Sequence, residues 1–399
     1  MEGAYLVMES FLAPRRLLLG PGPSMVHPRV LQALATPLVG HLDPTFLQVM
    51  TDIQILLRRV FSTTNQFTIA VSGTGSAGME AAIVNIVEPG DAVIVGINGV
   101  FGTRQSTIVE RCGGKAIRLE VPWGQVIEPD MIAAALQQSY PVKAVVLVHA
   151  ETSTGACQPL EPINSLCRMY NALLIVDAVT SLGGIPVEVD RWGIDVCYSA
   201  TQKCLSCPPG LAPLTLSDRA LSVIKNRRSP CQSWYLDLSL IAEYWTEHNR
   251  AYHHTAPISM LYALREALRL IEEEGLPTRF ARHQLNSRAL LAGLKALGLD
   301  PLPPPDRRLP TLICVTLPAH IDEAAVRSQL LEKFGIEIGG GLGPLKGKVW
   351  RIGLMGESST EANVLTLLNA LEEIGIRRGW VSTPGVALQA AAHVYSGGR

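Results

Sequence analysis

From residue 67 to about 201, short apolar runs rich in β-branched residues alternate with amphipathic stretches. FTIAV (67–71), AVIVGI (92–97), KAIRLEV (115–121), KAVVLVH (143–149) and LLIVDAV (173–179) read as strands, and a further strand is expected over 196–200. Between them, SAGMEAAIVNIV (76–87) and PLEPINSLCRMY (159–170) read as helices. Strands that are apolar at successive positions are buried on both faces. Alternating with helices, they predict a mostly parallel sheet covered on both sides. Glu88-Pro89-Gly90-Asp91 stops the first helix and turns the chain into the next strand.

A second region opens near 275, after the helical run SMLYALREALRLIEEEG. It reads as a helix (277–298), strand TLICVTL (311–317), a helix (322–334), strand KVWRIGLM (348–355) and a helix (360–375). That order predicts a smaller α/β layer beside the large sheet. LDPLPPPDRRLP (299–310), rich in Pro and Arg, is expected as a loop inside this layer. The expected organisation is an N-terminal arm over 1–16, a large domain over 17–275 and a small domain over 276–399.

Composition narrows the class. In 399 residues, 47% are hydrophobic and 17% charged, which suits a compact enzyme and excludes a disordered or fibrous chain. A formal charge of -1 offers no bulk attraction to nucleic acid or to an anionic membrane, so neither is expected as a partner. No run of about 18 apolar residues could span a bilayer. At the start of the chain, Glu2 precedes the apolar stretch and the basic pair follows it, the reverse of a secretory signal. The final residues are no peroxisomal address, and a cytoplasmic location is expected. Eight cysteines are too sparse for a disulfide scaffold. Cys204 and Cys207 form a C-x-x-C, but Pro208-Pro209-Gly210 after it favours a turn over a redox helix, and no second half of a zinc site follows. His253 and His254, being adjacent, are expected to point apart, so no metal is expected there either.

Three features carry chemistry. Ser72-Gly73-Thr74-Gly75-Ser76-Ala77-Gly78 follows a strand and opens a helix, so its N–H groups and the hydroxyls of Thr74 and Ser76 suit a phosphate. A dinucleotide site would also need an acid after the second strand, where Asn98 stands instead. Asp177 ends a buried strand, where ligands bind in open α/β sheets, and needs a cationic partner. A protonated pyridine nitrogen would serve; a metal or a ribose hydroxyl are other partners. Lys203 follows the 196–200 strand, and partial desolvation would make its amine a nucleophile toward an aldehyde. Alone, a lysine is nearly uninformative and reads as a surface residue; beside the phosphate loop and the buried acid it becomes specific.

With these residues the chain resembles the class-V, fold type I, pyridoxal 5'-phosphate (PLP) aminotransferases. It is most similar to the alanine–glyoxylate and serine–glyoxylate group. LLLGPGPS (17–24), SGTGSAGMEA (72–81), HAETSTGACQPL (149–160), LLIVDAVTSLGG (173–184), SATQKCLSCPPG (199–210), YHHTAP (252–257) and GGLGP…KVWRIGLMG (340–356) carry the resemblance. It implies a mostly parallel seven-stranded sheet between helices, with a smaller C-terminal α/β domain. It also implies roles: Lys203 forms the Schiff base and Asp177 pairs with the pyridinium, while Thr74, Gly75, Ser76 and Gln202 hold the phosphate. Phe101 would stack on the ring, Thr152 contact its hydroxyl side and Val179 pack on the other face. Arg351 would clamp the substrate carboxylate, with Gly22 and His41 beside the substrate. Tyr252 and Thr255 would reach the phosphate of a neighbouring subunit, implying a homodimer with composite sites.

The expected reaction moves the amino group of alanine or serine to glyoxylate. The alternative is (S)-ureidoglycine–glyoxylate transamination, because TQKCLS, FARHQLNSRALLAGL (280–294) and the tail RRGWVSTPGVALQAAAHVY (377–395) resemble that branch as well. That branch carries an amide at position 41 and Asn at position 252; His41 and Tyr252 depart from it.

Overall fold

The structure is a computed structural model that describes residues 12–246 and 250–397. Most of the expected N-terminal arm therefore lies outside the described residues. Seven strands form the central sheet: β1 (Phe67–Ser72), β2 (Ala92–Ile97), β3 (Lys115–Glu120), β4 (Ala144–Val148), β5 (Leu173–Asp177), β6 (Val196–Tyr198) and β7 (Leu211–Leu216). Their spatial order is β1-β7-β6-β5-β4-β2-β3. Neighbours run parallel except β7, which is antiparallel to both β1 and β6. Strands β4 to β7 are buried at every position, as their unbroken apolar runs require.

Helices α1 (Gly75–Val84) and α2 (Val100–Arg111) each follow a strand directly, so their N-termini face the carboxyl end of the sheet. Gly102 seats α2 closely on the sheet: a Cβ there would overlap the carbonyl oxygen of Gly96 in β2. A long helix, Pro44–Phe61, packs against the helix Ile258–Glu274 on the same core.

The C-terminal layer has its own hydrophobic core, built on Leu290, Leu294, Trp350, Ile352, Leu367 and Leu371. Its sheet centres on β8 (Leu312–Thr316) and β9 (Val349–Gly353), an antiparallel pair covered by α3 (Leu276–Ala296) and α4 (Glu361–Arg378). The stretch expected as a loop over 299–310 includes a short edge strand at Asp300–Pro301 and a 3-10 turn at Pro305–Arg307. Leu17–Leu18 pairs with Ile336–Glu337, and Leu19 enters the C-terminal core. That crossing brings Pro21 and Gly22 over the carboxyl end of the large sheet. Among the described residues, no helix is long and apolar enough to cross a membrane.

Candidate active site

The register of the sheet decides what meets. Val148 lies opposite Asp177, and Asp177 opposite Tyr198, so the ends of β4, β5 and β6 are level. Asp177 and Tyr198 therefore share a face, and the Tyr198 hydroxyl donates to Asp177 Oδ2 at 2.8 Å. Gln105 Nε2 of α2 donates to the same hydroxyl at 2.9 Å, which fixes its direction. Val179 N–H donates to Asp177 Oδ1 at 2.9 Å. Burial pushes the Asp177 carboxyl up to about 6, against these two donors and the more distant Lys203 ammonium, which pull it down. A cation bonded to it would keep it ionised.

Lys203 follows β6 after four residues, and its Nζ–H donates to the carbonyl of Pro21. Burial lowers its ammonium to about 8, with Arg351 pushing the same way and Asp177 opposing. Gly22 lies against it: φ is +106°, and a Cβ would come within 2.7 Å of Nζ. Glycine is needed there for conformation and for room. Beyond Lys203, the carbonyl of Cys204 accepts from Arg279 Nη2 at 2.7 Å, and Arg279 Nε donates to Gly183 at 2.9 Å. Arg279 is 1% exposed and ion-paired with Glu274 at 2.6 Å, so the lysine loop is held from α3.

At the head of α1, Gly75 is buried while Thr74 and Ser76 are exposed. A Cβ at Gly75 would lie 2.7 Å from Ala200 Cβ and 3.5 Å from Val179 Cγ2, so the loop, Val179 and the β6 end are one surface. Thr74 is the N-cap of α1, yet its side chain caps nothing. Gln202 Oε1 is buried without a partner among the described residues. Free hydroxyls, a helix N-terminus and an orphaned amide fit a phosphate group, and the buried Asp177 fits a pyridinium.

On the other side, Thr152 Oγ1 meets Thr180 Oγ1 at 2.5 Å, and the Thr152 carbonyl accepts from Arg351 Nη1 at 3.2 Å. Arg351 Nε donates to the Gly340 carbonyl at 2.7 Å. Arg351 is 7% exposed, and its hydrogen bonds go to carbonyls, leaving its charge without a carboxylate among the described residues. Phe101, half-buried in the first turn of α2, carries Arg104 over its ring at 5.0 Å.

His41, Tyr252 and Thr255 form a second group. The His41 and Tyr252 rings lie 5.2 Å apart, and the Tyr252 hydroxyl is 3.3 Å from Thr255 Oγ1. Tyr252 is 60% exposed. Thr255 and Ser76 line one open hollow of about 640 Å³, which is where the two groups approach. The expectation that His253 and His254 point apart is corrected: the segment is an irregular bend, and their Nδ1 atoms are 2.7 Å apart. His254 Nε2 lies 2.7 Å from Ser72 Oγ, tying this segment to the end of β1.

Tyr198, Arg279 and Glu151, whose Oε2 accepts from the N–H of Phe101 at 3.3 Å, belong to the site and carry no signal in the chain pattern. Tyr198 reads as one more strand residue, and Arg279 opens an ordinary helix. Only Glu151 lies in a motif, HAETSTG, where it is one polar residue among several.

The class-V aminotransferase family model matches residues 17–355, and the chain belongs to that family. It is a transaminase, and the family is PLP-dependent in general. The chain is 44% identical to the (S)-ureidoglycine–glyoxylate transaminase of Bacillus subtilis (strain 168) over 96% of both chains. The solved ureidoglycine–glyoxylate aminotransferase of that species has a TM-score of 0.95, covering 97% of this chain and 100% of its own. The solved alanine–glyoxylate aminotransferase of Nostoc sp. is 50% identical with a TM-score of 0.91, covering 92% of this chain and 97% of its own. The alanine–glyoxylate aminotransferase of Callithrix jacchus is 42% identical over 90% of this chain and 87% of its own.

Proposed function

We propose that this transaminase moves the amino group of a small monocarboxylic amino acid, alanine or serine, to glyoxylate, with PLP held at Lys203. The observation that carries this reading is the buried Arg351 charge, unpaired among the described residues, in the same site as Lys203. A buried guanidinium without a counter-ion favours one carboxylate, which its planar fork can take with two hydrogen bonds. Thr74, Gly75, Ser76 and Gln202 would hold the phosphate, and Asp177 the pyridinium. Phe101 and Val179 would enclose the ring, with Thr152 at its hydroxyl.

When bound, PLP supplies an electron sink for the pair left on the donor's α-carbon. Arg351 orients the donor by its carboxylate. With its pKa lowered to about 8, Lys203 has a substantial neutral fraction near that pH, and its Nζ takes the donor's α-proton as general base. Asp177, fixed by Tyr198 and Val179, would pair with the cofactor's ring nitrogen and keep it protonated. The exposed Tyr252 and Thr255 would serve the site of a second copy of the chain, making a homodimer with composite sites. Gly22 would bound the substrate space, and His41, its ring 5.2 Å from that of Tyr252, would line it.

Likeness to the Bacillus subtilis enzyme over 96% of both chains favours ureidoglycine as a second reading of the donor. Against it, rings stand at His41 and Tyr252, where the resemblance to that branch implies amides. A half-reaction panel decides: loss of the bound cofactor's absorbance is followed with alanine, serine, ureidoglycine and glutamate. Fastest loss with alanine or serine is expected, and a preference for ureidoglycine overturns the assignment. Lys203→Ala should lose turnover; ordinary activity in that variant would remove PLP from this site.

A further inference from the structure

Glu151 is 0% exposed and takes no part in the chemistry above. Its Oε1 accepts from Ser153 N–H at 2.9 Å and from Ser153 Oγ–H at 2.6 Å. Its Oε2 accepts from the N–H of Phe101 at 3.3 Å. Ser153 Oγ in turn accepts from the N–H of Val100 at 3.1 Å. Val100 and Phe101 are the first two residues of α2.

A helix leaves its first N–H groups without internal partners, and the N-cap side chain normally accepts one of them. Helix α2 begins after Gly99, which has no side chain to offer. The turn 151–153 does the capping instead, from 50 residues away. Gly99 is extended, with φ 176°, so its conformation does not call for glycine. Room does: a Cβ there would overlap the Glu151 carboxyl carbon and the Ser153 hydroxyl. The missing cap and the buried acid are two halves of one arrangement.

The same turn reaches the other side of the site. Between Glu151 and Ser153, the Thr152 carbonyl accepts from Arg351 and its hydroxyl meets Thr180. A carboxylate at a helix N-terminus is favoured by the helix dipole, and all three of its partners are donors, as an ionised acid requires. Burial pushes the Glu151 carboxyl up to about 7, against the donors of Ser153 and Phe101. Lys203 and Arg351 bring two buried positive charges to the site, Asp177 brings one negative, and an ionised Glu151 brings the second.

We propose that Glu151 is a positioning residue for amino transfer: it caps α2 from outside that helix, holding Phe101 in its stacking place, and joins α2 to the turn that holds Arg351. This rests on the amino-transfer reading above. The test uses the PLP-loaded enzyme and two readouts, kcat and the induced circular dichroism of the bound cofactor, which reports ring orientation. Glu151→Ala should keep its cofactor content, lose about half or more of the induced signal, and drop kcat about tenfold or more, as expected when stacking geometry is lost.

A second variant separates capping from mere filling of space. Glu151→Ala with Ser153→Ala clears the volume beside residue 99, and adding Gly99→Asp gives α2 a cap of its own. This triple variant should recover the induced signal and bring kcat to within about threefold of wild type. Two results overturn the proposal: a Glu151→Ala enzyme within about twofold of wild type on both readouts, or a triple variant without recovery, whether folded or not. If Glu151→Ala fails to fold, recovery in the triple variant decides alone. Failure of the amino-transfer reading is separate: wild type would then respond to no amino donor, while its induced signal would still report the capping.

Discussion

Lys203 is restricted by its neighbours in the fold. The Pro21 carbonyl accepts its Nζ–H, Gly22 lies against its tip and Arg279 holds the next carbonyl. Gly22→Ala should therefore cost about 1–3 kcal/mol in backbone strain alone and press on Nζ. It should slow PLP incorporation about tenfold or more, a factor worth about 1.4 kcal/mol, read from the rise of the bound-cofactor absorbance after mixing with the apoprotein. Tyr198→Phe is gentler. It removes one of two donors to the Asp177 carboxylate, so the ionised form loses support and the carboxyl moves up from about 6. Asp177 then takes up its proton at a higher pH, and the acid limb of kcat should shift upward, while activity at alkaline pH stays near wild type. An unchanged acid limb would detach Tyr198 from the chemistry. Asp177 stands out in the chain because it ends a recognisable strand, and Lys203 because it follows one within SATQKCLSCPPG. Tyr198, Arg279 and Glu151 do not, because their meaning lies in partners 21, 75 and 50 residues away.

At the scale of elements, legibility followed burial. Strands β2 and β4 are apolar throughout, and β5 is apolar up to Asp177, because helices cover both faces, and their runs could be read to within about two residues. Strand β7 could not. Pro213 stands in its middle, and a proline lacks the N–H that a central strand uses. The structure accommodates it between β1 and β6, where its carbonyl accepts from Ser199 N–H at 2.8 Å. The helices Pro44–Phe61 and Val386–Tyr395 were equally silent, because neither flanks a motif that points to it. Helix α2 shows how a glycine helps to place an element. Gly102→Ala would set a Cβ on the Gly96 carbonyl, lifting α2 from the sheet and Phe101 with it. A loss of about 1–3 kcal/mol is expected from such overpacking, measured by urea unfolding, with weaker PLP retention in the same variant.

For the whole molecule, the two cores meet where α3 leaves the helix Ile258–Glu274. Arg279 bonds to Gly183 and Cys204 beside the large sheet, and one turn on, His283 bonds to the loop after β9. Gly356 N–H can only donate, so His283 Nε2 accepts it at 2.9 Å; the Arg279 carbonyl can only accept, so Nδ1 carries the proton at 2.7 Å. The ring is thus neutral with one tautomer, and burial, helped by Arg279, lowers it from 6.5 to about 3. An unfolded histidine takes a proton below about 6.5 while the folded one refuses it, so stability is fully present above that pH and is lost as pH falls toward about 3. His283→Gln cannot take up that proton. Wild type should be more stable than the variant by about 1–3 kcal/mol at pH 7, since the variant breaks two buried hydrogen bonds. That lead should shrink by about 1.4 kcal/mol for each pH unit below about 6.5. Urea unfolding of both proteins at pH 7 and pH 5 measures it, and a gap that stays constant would mean that His283 does not link the junction to pH.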